Sequence, residues 1–179
     1  ALYDGFGNSS NNKPLRKRHL KEIRANGIEI YEYKPLKFPW VHAVFNRDHR
    51  KILDIDGKTV YTGGINISDE YANYEHPRFG YWKDTAIRLD GPAVRTFTIM
   101  FLQLWNVANK TMEEASGYRK FADVPCEKHS GQGVTIPYGD DAFNGEDVAE
   151  NVYNYILAKA HDYVHIMTPY TILDNTMIN

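Results

Sequence analysis

A histidine and a lysine two residues apart mark the part of the sequence that could carry out chemistry. The run NRDHRKILDIDGKTVYTGGIN, residues 46–66, contains His49, Lys51 and Asp56 and ends in a glycine pair and Asn66. Side chains alternate between the two faces of a β-strand, so His49 and Lys51 share one face, about 7 Å apart. An imidazole beside an ammonium suits an anionic ligand, because the ammonium can bind its oxygens while the imidazole attacks.

The dipeptide Asp56-Gly57 lies between two β-rich runs and predicts a hairpin with a two-residue turn. This turn fixes the register, and the pairs that it predicts are Ile55 with Lys58, Leu53 with Val60, Lys51 with Thr62, and His49 with Gly64. On this register Thr62, Gly64 and Asn66 point to the same side as the histidine and the lysine. Asp54 and Asp56, the two aspartates of the hairpin, point to the other side.

The predicted face suits a phosphate ester. Lys51 supplies a charge for the phosphoryl oxygens, Asn66 supplies an amide donor, and Gly64 leaves room for close approach. His49 could then act as a nucleophile and form a phosphoenzyme, which divides one hard displacement into two easier ones. Metal binding suits the pattern less, since a lysine two residues from the ligand repels a dication. The alternative is an exposed histidine on a hairpin whose glycines only relieve crowding.

Strands and helices alternate along the chain, which predicts an α/β layered domain. The predicted elements up to residue 107 are a strand at ALYDGF, a helix from Pro14 to just before Gly27, a strand from Ile28, the hairpin, a strand at TAIRL (85–89) and a helix from about Pro92 to Val107. The apolar side chains of the last helix form a wide face, which indicates core. They are Val94, Phe97, Met100, Phe101, Leu104 and Trp105.

A loop-rich stretch from about 118 to 145 indicates a domain boundary. It contains one short candidate strand, GVTIP (133–137). Beyond it, the sequence predicts a helix from about Glu146 to His161, a strand at YVHIMT (163–168) and a turn at Pro169.

The composition limits the class of protein. A chain of 179 residues can bury one good core but is short for two complete domains. Its formal net charge is −2, so an anion site must be built locally. Cys126 is the single cysteine, which excludes an internal disulfide. No apolar run of about 18 residues is present that could span a bilayer. Lys34, Lys37, Phe38 and Trp40 could lie at a lipid headgroup interface or in a partly buried loop.

The pattern H-x-K-x4-D, followed after six residues by G-G-x-N, resembles the signature of the phospholipase D superfamily. In this chain the matching residues are His49, Lys51, Asp56, Gly63, Gly64 and Asn66. Many members have serine where Gly64 stands, and the glycine pair, with NRDHRK before it and GGINISDEY after it, is most similar to the bacterial cardiolipin synthases. The similarity continues through residues 81–105 and 156–177. It implies an α/β/α layered sandwich with a mixed sheet.

The resemblance also implies a role for each matching residue. His49 matches the nucleophile that forms a phosphohistidine, Lys51 a phosphate ligand, and Asn66 a further phosphate contact. Asp56 matches the aspartate of the catalytic motif, but the hairpin places it at the turn, where we expect a structural role. Asp84 resembles the acidic residue that hydrogen-bonds the histidine and fixes its tautomer; the alternative is an aspartate at a strand edge. The resemblance implies no metal and no cofactor.

The chain departs from the superfamily in having one motif. Members build one active site from two such motifs, and the second histidine protonates the leaving alcohol. Residues 164–177 nevertheless resemble the first strand of a second half. We therefore expect residues 1–117 to form a first phospholipase D-like half, 118–145 a connection, and 146–179 the truncated beginning of a second half. We also expect segments before Ala1, which in this family include membrane-spanning ones.

The activity that the resemblance implies is phosphatidyl transfer, which joins two phosphatidylglycerol molecules and releases glycerol. The expected partners are phosphatidylglycerol or a related phospholipid, a membrane surface and the missing second catalytic half, without nucleic acid. We expect the full-length protein at the bacterial cytoplasmic membrane, and the fragment to be soluble and inactive alone. Two alternatives stay open: a nuclease or phosphodiesterase of the same superfamily acting as a single-motif dimer, and a non-catalytic membrane-surface module.

Overall fold

The chain forms two compact units, Ala1–Pro137 and Tyr138–Asn179. A computed structural model describes residues 1–10, 15–33, 47–74, 80–110, 120–125, 133–140, 145–168 and 175–178. The division between the units falls inside 118–145, the stretch that the sequence predicts as a connection. The assignment of the units to a first and a second phospholipase D-like half stays a prediction.

The described part of the first unit contains both strands and helices. In chain order they are β1 (Leu2–Asp4), α1 (Gly5–Ser10), α2 (Lys17–Ala25), β2 (Tyr31–Tyr33), β3 (Ile52–Ile55), β4 (Thr59–Gly63), β5 (Ala86–Asp90) and α3 (Val94–Asn109). Strands β1 and β2 form a parallel pair, while β3, β4 and β5 form an antiparallel sheet in that order. The parallel and antiparallel pairing on one chain, with open sheets, confirms the mixed α/β class that the sequence predicts.

The first strand ends at Asp4 because this residue starts a helix. Its Oδ1 atom accepts hydrogen bonds from the backbone N–H groups of Phe6 and Gly7, each at 2.9 Å. An aspartate that accepts from the first free N–H groups of a helix caps it. The chain therefore turns from β1 directly into α1, a helix that the sequence did not predict. The strand predicted from Ile28 begins later, at Tyr31.

Helix α2 confirms the helix predicted before Gly27. It runs from Lys17 to Ala25, and Gly27 follows with a φ of 81°. This left-handed conformation suits glycine at the end of a helix. The predicted start at Pro14, the four candidate headgroup residues Lys34, Lys37, Phe38 and Trp40, and the predicted turn at Pro169 lie outside the described residues.

Helix α3 packs against both sheets and contributes to the core. It contacts β2, β3 and β4, and its Val94 and Met100 are buried together with Val60 of β4. The ring of Trp105 meets the ring of Tyr31 edge-on, with 4.9 Å between centroids. The predicted helix over residues 92–107 is thus confirmed within two residues. In the described parts of the chain, no helix is both long and apolar enough to cross a membrane.

The hairpin of β3 and β4 differs from the predicted register by one residue. The observed pairs are Ile52–Thr62, Leu53–Tyr61, Asp54–Val60 and Ile55–Thr59. The loop therefore holds three residues, and the predicted pairs are wrong. The carboxylate of Asp54 explains the shift, because it accepts hydrogen bonds from the Gly57 N–H at 2.9 Å and from the Thr98 hydroxyl on α3. A slip of one residue moves the side chains of β4 to the opposite face relative to those of β3. Thr62 therefore lies on the same side as Asp54, the side that faces α3, whereas the predicted register put them on opposite sides.

Helix α4 (Val148–Lys159) of the second unit confirms the helix predicted from about Glu146 to His161. A short helix, α5 (Asn175–Ile178), follows. Two predicted strands are wrong, since neither residues 133–137 nor residues 163–168 are in a strand. A strand needs a neighbour for its backbone N–H and C=O groups, and both sheets of the described residues are formed by β1 to β5.

Candidate active site

His49 and Lys51 lie in the segment that leads into β3, and their side chains are in contact. Lys51 Nζ is 3.0 Å from His49 Nδ1 and donates a hydrogen bond to the His49 carbonyl oxygen at 2.6 Å. An ammonium has three N–H donors. With two of them directed at His49, the third can meet the oxygen of a ligand.

Two ion pairs fix this segment on either side of the histidine. Arg47 Nη1 lies 3.6 Å from Asp4 Oδ2, which ties the segment to the end of β1. Asp48 accepts hydrogen bonds from the backbone N–H of Arg50 at 3.0 Å and from its Nε at 2.8 Å. The loop that carries His49 is therefore held by charged side chains although it precedes the regular strand.

The glycine pair at the end of β4 allows β5 to approach closely. Gly63 pairs with Ala86, and the Gly64 N–H donates to the Thr85 carbonyl oxygen at 3.1 Å. A Cβ atom built on Gly64 would lie 2.8 Å from Asp84 Oδ2 and would also press against Oδ1. The carboxylate of Asp84 therefore fills the space beside Gly64, where the sequence predicts room for a phosphate.

Burial and neighbouring carboxylates act in opposite directions on the charge of Lys51. Partial burial lowers the pKa of Lys51 from its ordinary value of 10.5, because an ammonium is less stable when water is removed from it. The carboxylates of Asp48 and Asp84 act the other way and raise this pKa. Asp84 is therefore close enough to Lys51 to stabilise its charged form.

The structure thus brings Lys51 into contact with His49, leaves Asp84 near enough to raise the pKa of Lys51, and places Asp56 apart. Asp56 lies in the hairpin turn with a φ of 57°, five residues of extended chain from Lys51, or about 16 Å. Its position at the turn is the predicted one. The hydrogen bond between His49 and Asp84 that the resemblance implies stays a proposal, since His49 Nδ1 faces Lys51.

Asn66 is held by Tyr71, which packs on Trp82, and the sequence predicts neither residue as part of the site. Its Nδ2 atom donates to the Tyr71 hydroxyl at 2.7 Å, and the Tyr71 ring packs against that of Trp82 with 4.6 Å between centroids. Asn66, Tyr71 and Trp82 are not spaced with the period of a helix or a strand, so a pattern of hydrophobic residues does not relate them. The resemblance itself could have indicated Tyr71. The similar segment GGINISDEY ends at Tyr71, whereas the motif assigns roles only as far as Asn66.

The described side chains include the kinds of group that binding of an anion and attack on it require. Lys51 and Asn66 offer N–H donors, and His49 offers an imidazole within contact of the ammonium. Donors that point at a phosphoryl group stabilise the charge that develops when a nucleophile attacks it. Among the described residues, no group of three or more His, Cys, Asp or Glu side chains is placed to hold a metal ion.

Comparisons with known proteins connect the chain to named enzymes. No family model matches the chain, and no solved structure matches it. An uncharacterised protein of Streptococcus mutans is 45% identical over 179 residues, which are 99% of this chain and 37% of that protein. A cardiolipin synthase of Alkalihalophilus pseudofirmus is 32% identical over 185 residues, 99% of this chain and 34% of that enzyme. The major cardiolipin synthase ClsA of Bacillus subtilis is 33% identical over 180 residues, 100% of this chain and 36% of that enzyme.

The similarity covers much more than the motif. The chain spans 34 to 37% of the length of these relatives, and at least 99% of its own residues are matched. The chain is therefore related to the bacterial cardiolipin synthases over nearly its whole length, which confirms the resemblance that its motif and flanking segments indicate.

Proposed function

We propose that the full-length protein is a phosphatidyltransferase of the cardiolipin synthase type. One observation carries the proposal: the ammonium of Lys51 lies 3.0 Å from Nδ1 of His49. This pair lies on a chain that is 32 to 33% identical to proteins named cardiolipin synthase. The proposed substrate is phosphatidylglycerol or a related phospholipid, because the phosphodiester of such a lipid presents the anion that Lys51 and Asn66 can bind.

The proposed reaction has two displacements at phosphorus. His49 attacks one phosphatidylglycerol, a phosphorus–nitrogen bond forms, and the glycerol leaves with a proton from a general acid. A hydroxyl of a second phosphatidylglycerol then attacks the phosphohistidine, gives its proton to the same group and releases His49. Lys51 and Asn66 stabilise the charge on the phosphoryl oxygens, and Asp84 orients the imidazole.

The general acid of this proposal belongs to a second catalytic half of the same polypeptide. An open apolar surface supports such a partner: Leu53, Ile55 and Tyr61 lie on the side of the β3–β4 hairpin opposite α3. All three are exposed, Leu53 by 59%. Neighbouring exposed apolar side chains mark surfaces that meet another part of a protein.

The membrane surface is the other proposed partner. Ile67 and Tyr81 are strongly exposed, and both belong to the connection between β4 and β5, whose ends carry Gly64 and Asp84. Aliphatic and tyrosine side chains can enter the headgroup region of a bilayer. We therefore propose that the full-length protein works at the bacterial cytoplasmic membrane with this connection towards the lipid.

The first experiment measures transfer by the purified full-length protein on phosphatidylglycerol vesicles. Cardiolipin and glycerol are expected in equal amounts, and rapid denaturation in detergent at neutral pH is expected to trap a phosphohistidine, whose phosphorus–nitrogen bond is cleaved by acid. Both should be lost in His49→Ala. If the full-length protein turns over neither the phospholipid nor a simple phosphodiester, the alternative of a non-catalytic membrane-surface module replaces the proposal.

The second experiment assays the 179-residue chain alone. We expect essentially no transfer, because a missing general acid typically costs about 100- to 10,000-fold in rate. The mass of the chain in solution is measured alongside. Turnover of a phosphodiester by a dimer, abolished by His49→Ala, would favour the single-motif enzyme instead.

A further inference from the structure

The connection between β4 and β5 carries one site residue near each of its ends. Asn66 follows the glycine pair, and Asp84 lies just before β5. The structure describes residues 64–74 and 80–85 of this connection. What holds these two parts together therefore also determines where an amide and a carboxylate of the proposed site lie.

Asn73 joins the two described parts of the connection. Its Oδ1 atom accepts a hydrogen bond from the Trp82 N–H at 2.7 Å, and its Nδ2 atom donates to the Trp82 carbonyl oxygen at 2.9 Å. The side-chain amide thus satisfies both backbone groups of one residue, as a neighbouring strand does. Asn73 itself has a φ of 54°, a conformation that asparagine adopts more easily than most residues. The backbone is therefore fixed two residues before Asp84.

Tyr71 connects the same tryptophan to Asn66. Its ring packs on Trp82 at an angle of 43°, and its hydroxyl accepts from Asn66 Nδ2 at 2.7 Å. The amide of asparagine carries two N–H donors. The bond to Tyr71 uses one of them, which fixes the plane of the amide and leaves the other for a phosphoryl oxygen.

We propose that Tyr71 and Asn73 are positioning residues of the active site: Tyr71 orients the amide of Asn66, and Asn73 fixes the backbone that presents Asp84. The inference rests on the proposed function, since that function gives Asn66 and Asp84 their roles. Both devices meet at Trp82, so a single residue of the connection supports both ends of the site.

Kinetics separate positioning from a purely structural role. Asn66 would contact the phosphate in the ground state and in the transition state, so Tyr71→Phe should raise KM and lower kcat/KM about 2- to 10-fold, the value of one hydrogen bond. Asn73 acts through Asp84, so Asn73→Gly should lower kcat about 10- to 100-fold with little change in KM. Glycine adopts the positive φ of Asn73 without strain, and the substitution removes the amide.

The test of Tyr71 uses a double-mutant cycle in the full-length protein. If Tyr71 acts through Asn66, Tyr71→Phe should cost nothing further once Asn66→Ala is present. Tyr74→Phe is the matched control, because Tyr74 lies on the same connection with its side chain 89% exposed. Equal losses in Tyr71→Phe and Tyr74→Phe, or an undiminished loss in the Asn66→Ala background, overturn the assignment of Tyr71.

The test of Asn73 follows Lys51 by NMR in the full-length protein with labelled lysine. The pKa of Lys51 should fall in Asp84→Asn, since a carboxylate that raises it is lost. It should fall in Asn73→Gly as well, because Asp84 is then displaced. A Lys51 pKa that stays unchanged in Asn73→Gly overturns the assignment of Asn73.

The two readouts distinguish failure of this inference from failure of the proposed function. Absence of phosphatidyl transfer by the wild-type protein would remove the proposed function. The Lys51 titration requires no turnover, and it still decides whether Asn73 positions Asp84.

Discussion

The Gly64→Ala substitution places a methyl group where the structure has the carboxylate of Asp84. The new Cβ atom would lie 2.8 Å from Asp84 Oδ2 and 2.9 Å from its Cγ. Contact between non-bonded atoms is favourable near about 3.5 Å, so Oδ2 has to move by about 0.7 Å, and Oδ1, which lies closer still, has to move further. The side chain of Asp84 is exposed and can rotate away. Gly64 is not among the residues with positive φ, so alanine can adopt its backbone conformation.

This geometry predicts a large loss of activity with a small change in stability. The free energy of unfolding should change by less than about 1 kcal/mol, because alanine also reduces the entropy of the unfolded chain. A catalytic group misplaced by about 1 Å can cost about 100-fold. We therefore expect kcat to fall about 10- to 100-fold, which corresponds to about 1.4 to 2.8 kcal/mol of activation free energy.

The assay compares Gly64→Ala with Gly63→Ala in the full-length protein. A Cβ atom on Gly63 would meet the Thr85 carbonyl oxygen and lie 2.7 Å from the Cα atom of Ala86. These are backbone atoms of the neighbouring strand and its approach, so β4 and β5 have to separate, at a cost of about 1 to 3 kcal/mol in stability. Thermal unfolding and transfer on phosphatidylglycerol vesicles are measured for both variants. The reasoning is refuted if Gly64→Ala keeps kcat within about twofold of the wild type, or if it is destabilised as much as Gly63→Ala.

Three further predictions concern charge. Asp84→Asn should reduce kcat far more than stability, whereas Asp56→Asn should change kcat little, because Asp56 lies in the hairpin turn with a positive φ that asparagine also adopts; the reverse pattern of kcat losses would exchange their roles. Transfer should persist in excess chelator, because Lys51 and Asn66 are proposed to stabilise the phosphoryl charge; loss with chelator and recovery with a divalent ion would contradict this. Because burial lowers the pKa of Lys51 below 10.5, activity should fall on the alkaline side before an ordinary lysine loses its proton. Asp84→Asn should move this fall to lower pH, since Asp84 raises that pKa, and Lys51→Arg should remove it; a pH–rate profile that is the same in all three proteins would exclude Lys51 as the group.

The sequence predicted the elements whose signals are local. The apolar face that runs from Val94 to Trp105 repeats with the helical period, and the helix is observed at Val94–Asn109. The sequence predicted that His49 and Lys51 share one face of a strand; their side chains are in contact, but in the segment that precedes β3. The β-rich runs on either side of Asp56-Gly57 predicted a hairpin, which is observed. These features depend on residues close together in the chain, and neighbouring residues carry enough information to predict them.

The features that the sequence did not predict depend on distant partners. Strand β3, with the sequence ILDI, has apolar residues on both faces, so alternation does not decide its register. The deciding contact joins Asp54 to Thr98, 44 residues away. In the same way, the use of the space beside Gly64 depends on where β5 places Asp84. The strand predicted at 163–168 would need a partner strand, which a local pattern cannot supply.

The two hydrogen bonds of Asp54 also set an order of events during synthesis of the chain. Asp54 holds the turn through Gly57, but its partner Thr98 lies 44 residues later. At translation rates of about 5 to 20 residues per second, that interval takes roughly 2 to 9 s. During this time the Asp54 carboxylate has no helix to bond to, and the amide protons of the hairpin can exchange with water. The strand that follows His49 and Lys51 should therefore become protected from exchange only after α3 has emerged and docked.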